Sequence, residues 1–359
     1  MLNNYFVSIY VYVFLSRDLI RKGHLNMAPI HNPMHAVLIE SFGGPERLYI
    51  GEWAKPHPGP HEILVKVEAT ALNRADILQR EGKYPPPEGE SPVMGLEMAG
   101  VVESVGQGVS KWKPGDLACG LLAGGGYAEY VTLHEDVALP VPQGLTTIEA
   151  AGIPEVFLTA FQALRWLAQL QEGERILVHA GASGVGTAAI QLAHTMGAHT
   201  IVTASAAKHP ICKELGAEHA IDYQGIDFED DVLEYTHGKG VDVVIDFIGG
   251  PYFQQNLNVL AYEGRMVMLA FLGGVQAGQL NLGPVLRKRL QIIGSTLRAR
   301  NLDYKIRLSQ DLYHFAWPLF ENGRLRPVID SVFDWKDVSK AHQYMEENRN
   351  QGKIVLKVG

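Results

Sequence analysis

Residues 175–197 read RILVHAGASGVGTAAIQLAHTMG. The reading of this stretch decides the fold. Residues 176–179 are apolar and short enough for a buried strand. Gly181, Ala182, Ser183, Gly184, Val185 and Gly186 form a glycine-rich turn, and 187–196 continue as a helix with small residues on its first turn. Such a turn leaves backbone N–H groups free at a helix N-terminus, where the positive end of the helix dipole favours an anion. Glycines also make plain tight turns. The strand before, the helix after and the β–α units downstream favour a dinucleotide pyrophosphate here.

Working outward, the chain alternates strand and helix from 175 onward. Strands are expected at 176–179, 200–203, 219–221, 241–246, 265–269 and 290–295, with helices at 187–196, 207–215, 228–236 and 252–260. Six strands with crossovers make a doubly wound parallel sheet. Upstream, 35–40, 63–69 and 100–105 read as strands, continued at 127–133 and 137–139, punctuated by Gly43-Gly44-Pro45, Pro85-Pro86-Pro87 and Lys113-Pro114-Gly115-Asp116. Short strands with such turns predict a small β-rich, partly open barrel. Residues 149–170 carry apolar residues at helical spacing and bridge the two parts. A long amphipathic helix over 302–322 precedes a tail of strand, helix (337–347) and strand (353–358). That tail has no place in the finished parallel sheet and is expected to return to the first part. The division is thus 1–33, 34–155, 156–300 and 301–359.

The 359 residues are 47% apolar and 19% charged, enough for two domains with sizeable cores. The formal net charge of −8 argues against nucleic acid as a partner, since phosphate binding wants a basic face. Two cysteines, Cys119 and Cys212, build neither a disulfide framework nor a four-cysteine zinc site, which fits a reduced, cytoplasmic setting. The apolar run at 6–15 is short for a bilayer span, and its positive charges follow it rather than precede it as in a signal peptide. Residues 1–33 are read as a poorly ordered extension or as the product of an upstream start, with Met27 and Met34 as alternative starts. A mitochondrial presequence is the other reading.

An NAD site places an acid about 20 residues past the glycines, on the ribose 2′-hydroxyl. Residues 200–208, TIVTASAAK, hold none. Ser205 offers a hydroxyl and Lys208 a cation, which suit a 2′-phosphate and predict NADPH. Lys208 reads otherwise as a solvated helix residue. Tyr223, after the third strand, either flanks the adenosine or is an ordinary surface tyrosine.

Seven phrases spread over Met34 to Gly359 carry a family resemblance: ALNRADILQREGKYPPP, GLEMAGVVESVG, KPGD, IPEVFLTAFQAL, HAGASGVGTAAIQLA, VVIDFIGG and NQGKIVLKV. The chain resembles the zinc-free quinone oxidoreductases of the medium-chain dehydrogenase/reductase superfamily, and within them the tumour-suppressor-inducible subgroup. The resemblance implies an α/β protein: a GroES-like catalytic domain, a Rossmann domain, NADPH in the cleft between them, and a homodimer or dimer of dimers joined by the last Rossmann strand. Many family members have glycine where Ser183 stands, which puts a hydroxyl close to the cofactor.

Zinc-dependent relatives place a cysteine at the position of Asn73 and a histidine at that of Leu96, beside Glu97. Neither Asn73 nor Leu96 is a competent zinc ligand, so no metal is expected. Without zinc, hydride addition to a quinone or enone remains feasible, because the charge delocalises onto an oxygen that a phenol or water can protonate. Tyr84, stiffened by three prolines, is either that donor or a tyrosine lining the pocket. The resemblance puts Asn73 on the nicotinamide ribose and Thr159 near the nicotinamide. Ser183 bonds cofactor or acceptor, or stabilises its own turn. Ile248, Phe271, Leu272, Gly273, Leu297 and Arg298 follow strands, at the ends where ligands sit in open α/β sheets. Arg298 reaches phosphate or makes a salt bridge. The expected activity is NADPH-dependent quinone reduction. A 2-enal, enone or enoyl-thioester reductase is the rival, and a non-catalytic NADPH- or RNA-binding protein is the reading from another class.

Overall fold

The computed structural model describes residues 32–225 and 227–359. The expected extension at 1–33 therefore lies outside the described residues except for its last two positions.

Strands β1 (Pro33–Ile39) and β2 (Leu48–Ala54) form an antiparallel hairpin. Next come β3 (Glu62–Ala71), β4 (Glu97–Val105), β5 (Leu117–Leu121), β6 (Tyr130–His134) and β7 (Leu139–Pro140), linked antiparallel in the order β6-β3-β4-β5-β7. Strand β3 alternates buried Val65 and Val67 with exposed Lys66 and Glu68, as a sheet with one wet face requires. The helix Arg74–Arg80 follows β3 directly.

The second sheet holds β8 (Arg175–Val178), β9 (His199–Ala204), β10 (His219–Asp222), β11 (Val241–Asp246), β12 (Leu260–Met268) and β13 (Gln291–Gly294). All are parallel, in the order β10-β9-β8-β11-β12-β13. The order reverses between β8 and β11, which makes that pair the switch point. Strands β8 and β11 are near-continuous buried Val, Ile and Leu, because helices cover both faces.

The tail strands β14 (Ile329–Asp334) and β15 (Lys353–Lys357) leave this sheet. Strand β15 pairs antiparallel with β3 and parallel with β14. The long helix Leu302–Glu321 instead packs Leu308, Leu312, Trp317 and Phe320 into the core that holds Phe157 and Ala189. That core also contains Ala69, Ala99 and Val355 of the first sheet, so the two sheets meet through buried apolar contacts.

The continuous helix expected over 149–170 is broken. It is replaced by Thr147–Ala150, Pro154–Phe161 and a π-helical stretch at Gln162–Leu167. Pro154, without an N–H, starts a helix rather than continuing one. Among the described residues no helix is long and apolar enough to cross a membrane.

Candidate active site

The glycine-rich turn is rigid by construction. Ser183 caps the helix Gly184–Thr195, its hydroxyl accepting the Gly186 amide at 3.1 Å. A Cβ on Gly186 would sit 2.3 Å from the Ala180 carbonyl oxygen, so only glycine lets the helix start this close to β8. The first-turn amides of Gly184 and Val185 have no acceptor within their helix and point from its positive end. The Ser183 oxygen is used as a cap, which leaves its hydroxyl proton to donate elsewhere.

Apart from Asn73, after β3, and Thr159, in the helix Pro154–Phe161, the remaining expected cofactor residues lie past the carboxyl ends of the parallel strands. Ser205 and Lys208 follow β9, Tyr223 follows β10, and Ile248 follows β11. Phe271, Leu272 and Gly273 follow β12. They are held against the β11 loop by Leu272 N–H to Phe247 O and Gly273 N–H to Ile248 O, both 2.9 Å. Ser205 is half-buried, and Tyr223, Phe271 and Leu272 are exposed. Lys208 is not simply solvated: its ammonium donates to the Asn348 and Asn350 carbonyls, each at 2.7 Å. Two of its three donors are used, and one is left for a ligand.

Leu297 and Arg298 are buried after β13. The Arg298 guanidinium is held within the protein. It donates to Ala123 O at 2.7 Å, to Tyr84 O at 3.3 Å and to Gln79 Oε1 at 2.7 Å, and lies 5.2 Å from the Tyr84 ring centre. It fastens the end of the parallel sheet to the loop carrying Tyr84. Tyr84 is half-buried, and burial pushes its phenol up from the usual range, with Arg298 opposing.

Between the sheets sits a polar cluster that sequence reasoning only partly found. The Lys353 ammonium, 3% exposed, donates to Leu72 O at 2.6 Å and to Asn73 Oδ1 at 2.7 Å, and lies 2.7 Å from the Glu97 carboxylate. Asn73 also donates to Glu97 Oε1 at 2.9 Å and to Ala71 O at 3.2 Å, so its amide is fixed before any ligand arrives. Besides the Lys353 ammonium, its side chain faces the Asp76 amide in the capping box that opens the helix Arg74–Arg80. The other Glu97 oxygen accepts the Glu155 amide at 2.8 Å. A Cβ on Gly184 would lie 2.8 Å from Lys353 Cδ, and Gly352 N–H bonds Ala182 O at 2.8 Å. Lys353 therefore ties the glycine-rich turn to Asn73.

Burial raises the carboxyls beside this cluster. Asp76, fully buried, is pushed up to about 6 by desolvation, against amide bonds from Asn73 and Gly95 and the charge of Lys353. Glu155, partly exposed, is pushed up to about 8 by desolvation and then by Glu97. One turn along the same helix, the buried Thr159 hydroxyl has no hydrogen-bond partner, an orphan that a ligand group would satisfy. Lys353 and Glu155 were legible only as members of quoted phrases. A lysine in KIVLKV reads as a strand end, and an acid after proline reads as a helix start. Among the described residues no group of three or more His, Cys, Asp and Glu is placed to hold a metal ion.

Comparison with known proteins fits this geometry. Residues 59–143 match the alcohol dehydrogenase GroES-like domain and 184–311 the zinc-binding dehydrogenase domain. The human synaptic vesicle membrane protein VAT-1 homolog is 33% identical over 91% of this chain and 87% of its own length. The chain belongs to the medium-chain dehydrogenase/reductase superfamily. Solved members of similar shape include an NAD-dependent alcohol dehydrogenase, with 33% identity, TM-score 0.81, and 91% of this chain and 100% of that one covered. The quinone oxidoreductase of Pseudomonas syringae pv. Tomato DC3000 shows 32% identity, TM-score 0.80 and coverage of 90% and 99%. The CurK enoyl reductase shows 29% identity, TM-score 0.79 and coverage of 92% and 100%. As in this superfamily generally, the protein is an α/β oxidoreductase whose GroES-like domain adjoins a Rossmann-type sheet built for a nicotinamide cofactor.

Proposed function

We propose that the chain is an NADPH-dependent quinone oxidoreductase that works without a catalytic metal. The observation carrying this reading is the Lys353 ammonium between Glu97 and Asn73. The acid beside the cleft is already paired with a fixed cation, and its neighbours Asn73 and Leu96 are poor metal ligands. Such a site has no strong Lewis acid for a simple alkoxide, whereas a quinone spreads its incoming charge over conjugated oxygens.

The residues fit the dinucleotide. The Gly184 and Val185 amides and the helix end would hold its pyrophosphate. Ser205 and Lys208 would take a 2′-phosphate, with no acid nearby on 204–208 to repel it. Asn73 would hold the nicotinamide ribose. Thr159, Ser183, Ile248, Phe271, Leu272, Gly273 and Leu297 would line the rest of the cofactor cleft, with Tyr223 beside the adenosine. When bound, the reduced nicotinamide supplies a hydride. Tyr84, its ring held over the Arg298 cation, donates a hydrogen bond to the acceptor oxygen. Cytoplasmic NADPH and the two unpaired, buried cysteines suit the same compartment. Two copies join through β13, where Ile292 is 40% exposed at the sheet edge and Leu282 and Leu286 are exposed alongside.

A second reading, a 2-enal, enone or enoyl-thioester reductase, is favoured by the CurK likeness and uses the same charge delocalisation. Oxidation of NADPH, with NADH in parallel, is measured against ortho-quinones, para-quinones and 2-enals. Quinone turnover that prefers NADPH and ignores a chelator is expected. Enal turnover with idle quinones moves the assignment to the second reading. A preference for NADH overturns the roles of Ser205 and Lys208.

A further inference from the structure

We propose that the Glu155 carboxyl is the proton donor to the reduced acceptor, with Tyr84 orienting that acceptor rather than protonating it. This rests on the reading above, that a conjugated acceptor takes up a hydride in the cleft.

The geometry begins with the helix Pro154–Phe161. Pro154, Val156, Phe157, Leu158, Ala160 and Phe161 are buried. Glu155 and Thr159, four apart and so on one face, are the two residues of this helix left partly open. Neither side chain has a hydrogen-bond partner among the described residues: the Glu155 contact is made by its amide, and the Thr159 hydroxyl is an orphan. Every other polar side chain of the adjoining cluster is committed. Asn73, Glu97 and Lys353 satisfy one another, Asp76 takes the Asn73 and Gly95 amides, and Arg298 is spent on three oxygens. The Glu155 carboxyl is thus the acid of this cluster that keeps both oxygens for a ligand or solvent.

Its surroundings set its protonation. Glu97 from β4 and Asp76 from the helix Arg74–Arg80 disfavour its charge, whereas Lys353 from β15 and Arg298 after β13 favour it. Tyr84, from the loop beyond the helix Arg74–Arg80, and Lys305, from the helix Leu302–Glu321, also feel its charge. With burial the first cause, the group is pushed to about 8 and carries a proton at neutral pH. A donor whose affinity lies near the working pH transfers readily, whereas the Tyr84 phenol is raised above its usual, already alkaline range.

The step balances simply. The acceptor gains a hydride from reduced nicotinamide, which is oxidised, and becomes an anion. The O–H bond of Glu155 breaks, the proton passes to the anionic oxygen or, for an enone, to the adjacent carbon, and water reprotonates the carboxylate.

The test has two arms on the full-length protein. Infrared difference spectra of the cofactor-free protein are expected to show a protonated carboxyl band at neutral pH that fades near pH 8 and is missing in Glu155→Gln. Steady-state reduction is expected to fall about a hundredfold in Glu155→Gln. In that variant the alkaline limb of the kcat profile disappears, while NADPH affinity, read by fluorescence, is unchanged. Glu155→Asp restores part of the rate on a shifted limb, and Tyr84→Phe keeps the limb. Absence of the infrared band, or a Glu155→Gln variant with wild-type rate and limb, overturns the proposal while quinone reduction by the wild type stands. Transfer of the limb's loss to Tyr84→Phe overturns it in favour of the phenol. A wild type that reduces no acceptor, yet shows the band, sinks the functional reading and this step with it.

Discussion

Ser183 serves two purposes that a single substitution can separate. Its hydroxyl caps the helix Gly184–Thr195 through the Gly186 amide. Ser183→Ala is expected to cost about 1 kcal/mol, read as a lowered urea midpoint. Aspartate caps as well as serine, so Ser183→Asp should keep that midpoint. Its carboxylate would face the cofactor's own phosphates, and NADPH affinity should drop tenfold or more, about 1.4 kcal/mol, by fluorescence titration. Lys208 gives the complementary case. Held by the Asn348 and Asn350 carbonyls, its ammonium is placed rather than mobile. Lys208→Glu is expected to raise the KM for NADPH about tenfold or more and to leave that for NADH nearly unchanged. Equal effects on both cofactors would show that the 2′-phosphate sits elsewhere.

At the scale of elements, the parallel sheet was legible and much of the antiparallel one was not. Strand β11 coincides with its expected span because VDVVID is buried on both faces and bounded by glycines. Strands β2 and β5 escaped notice: LYIGEWA mixes glycine and charge with apolar residues, as a half-wet strand does, and LACGL is only five residues long with a glycine inside it, so short-range pattern is weak in both. The helix Arg74–Arg80 was hidden in a phrase of mixed polarity. In the site, glycine chemistry was readable from spacing alone. The Lys353–Glu97–Asn73 clasp was not, since it joins positions up to 280 residues apart. Edge strand β13 carries a prediction of its own. With Ile292 40% exposed on the last strand of the sheet, Ile292→Lys should shift a dimer to monomer in sedimentation while leaving the thermal midpoint of the subunit largely in place. Unchanged sedimentation would place the interface on another surface.

Across the whole molecule, two buried histidines lie far apart and share one consequence for pH. His179, at the end of β8, bonds Thr203 Oγ1 at 3.0 Å and Asn256 Oδ1 at 2.8 Å, and burial lowers it to about 4. His342 lies between Tyr127 and Arg80 in the tail's helix, and burial with the Arg80 charge lowers it to about 3. Unfolded, each takes its proton near pH 6.5. Below that pH the unfolded chain binds protons that the folded one refuses, so their contribution to stability is lost as pH falls from 6.5 towards those values. Asp76 acts oppositely. Raised to about 6, it is protonated in the folded state while still charged in the unfolded one, and it favours folding as pH falls from 6 to 3.8. The two effects overlap and mask each other in the wild type, but a variant exposes them. His179→Gln removes one imidazole and carries a constant packing cost at every pH. Its urea midpoint at pH 7 should therefore lie well below that of the wild type, and the gap should narrow by up to about 3 kcal/mol by pH 4. A gap that stays constant over that range would mean that His179 keeps its ordinary affinity for protons inside the fold.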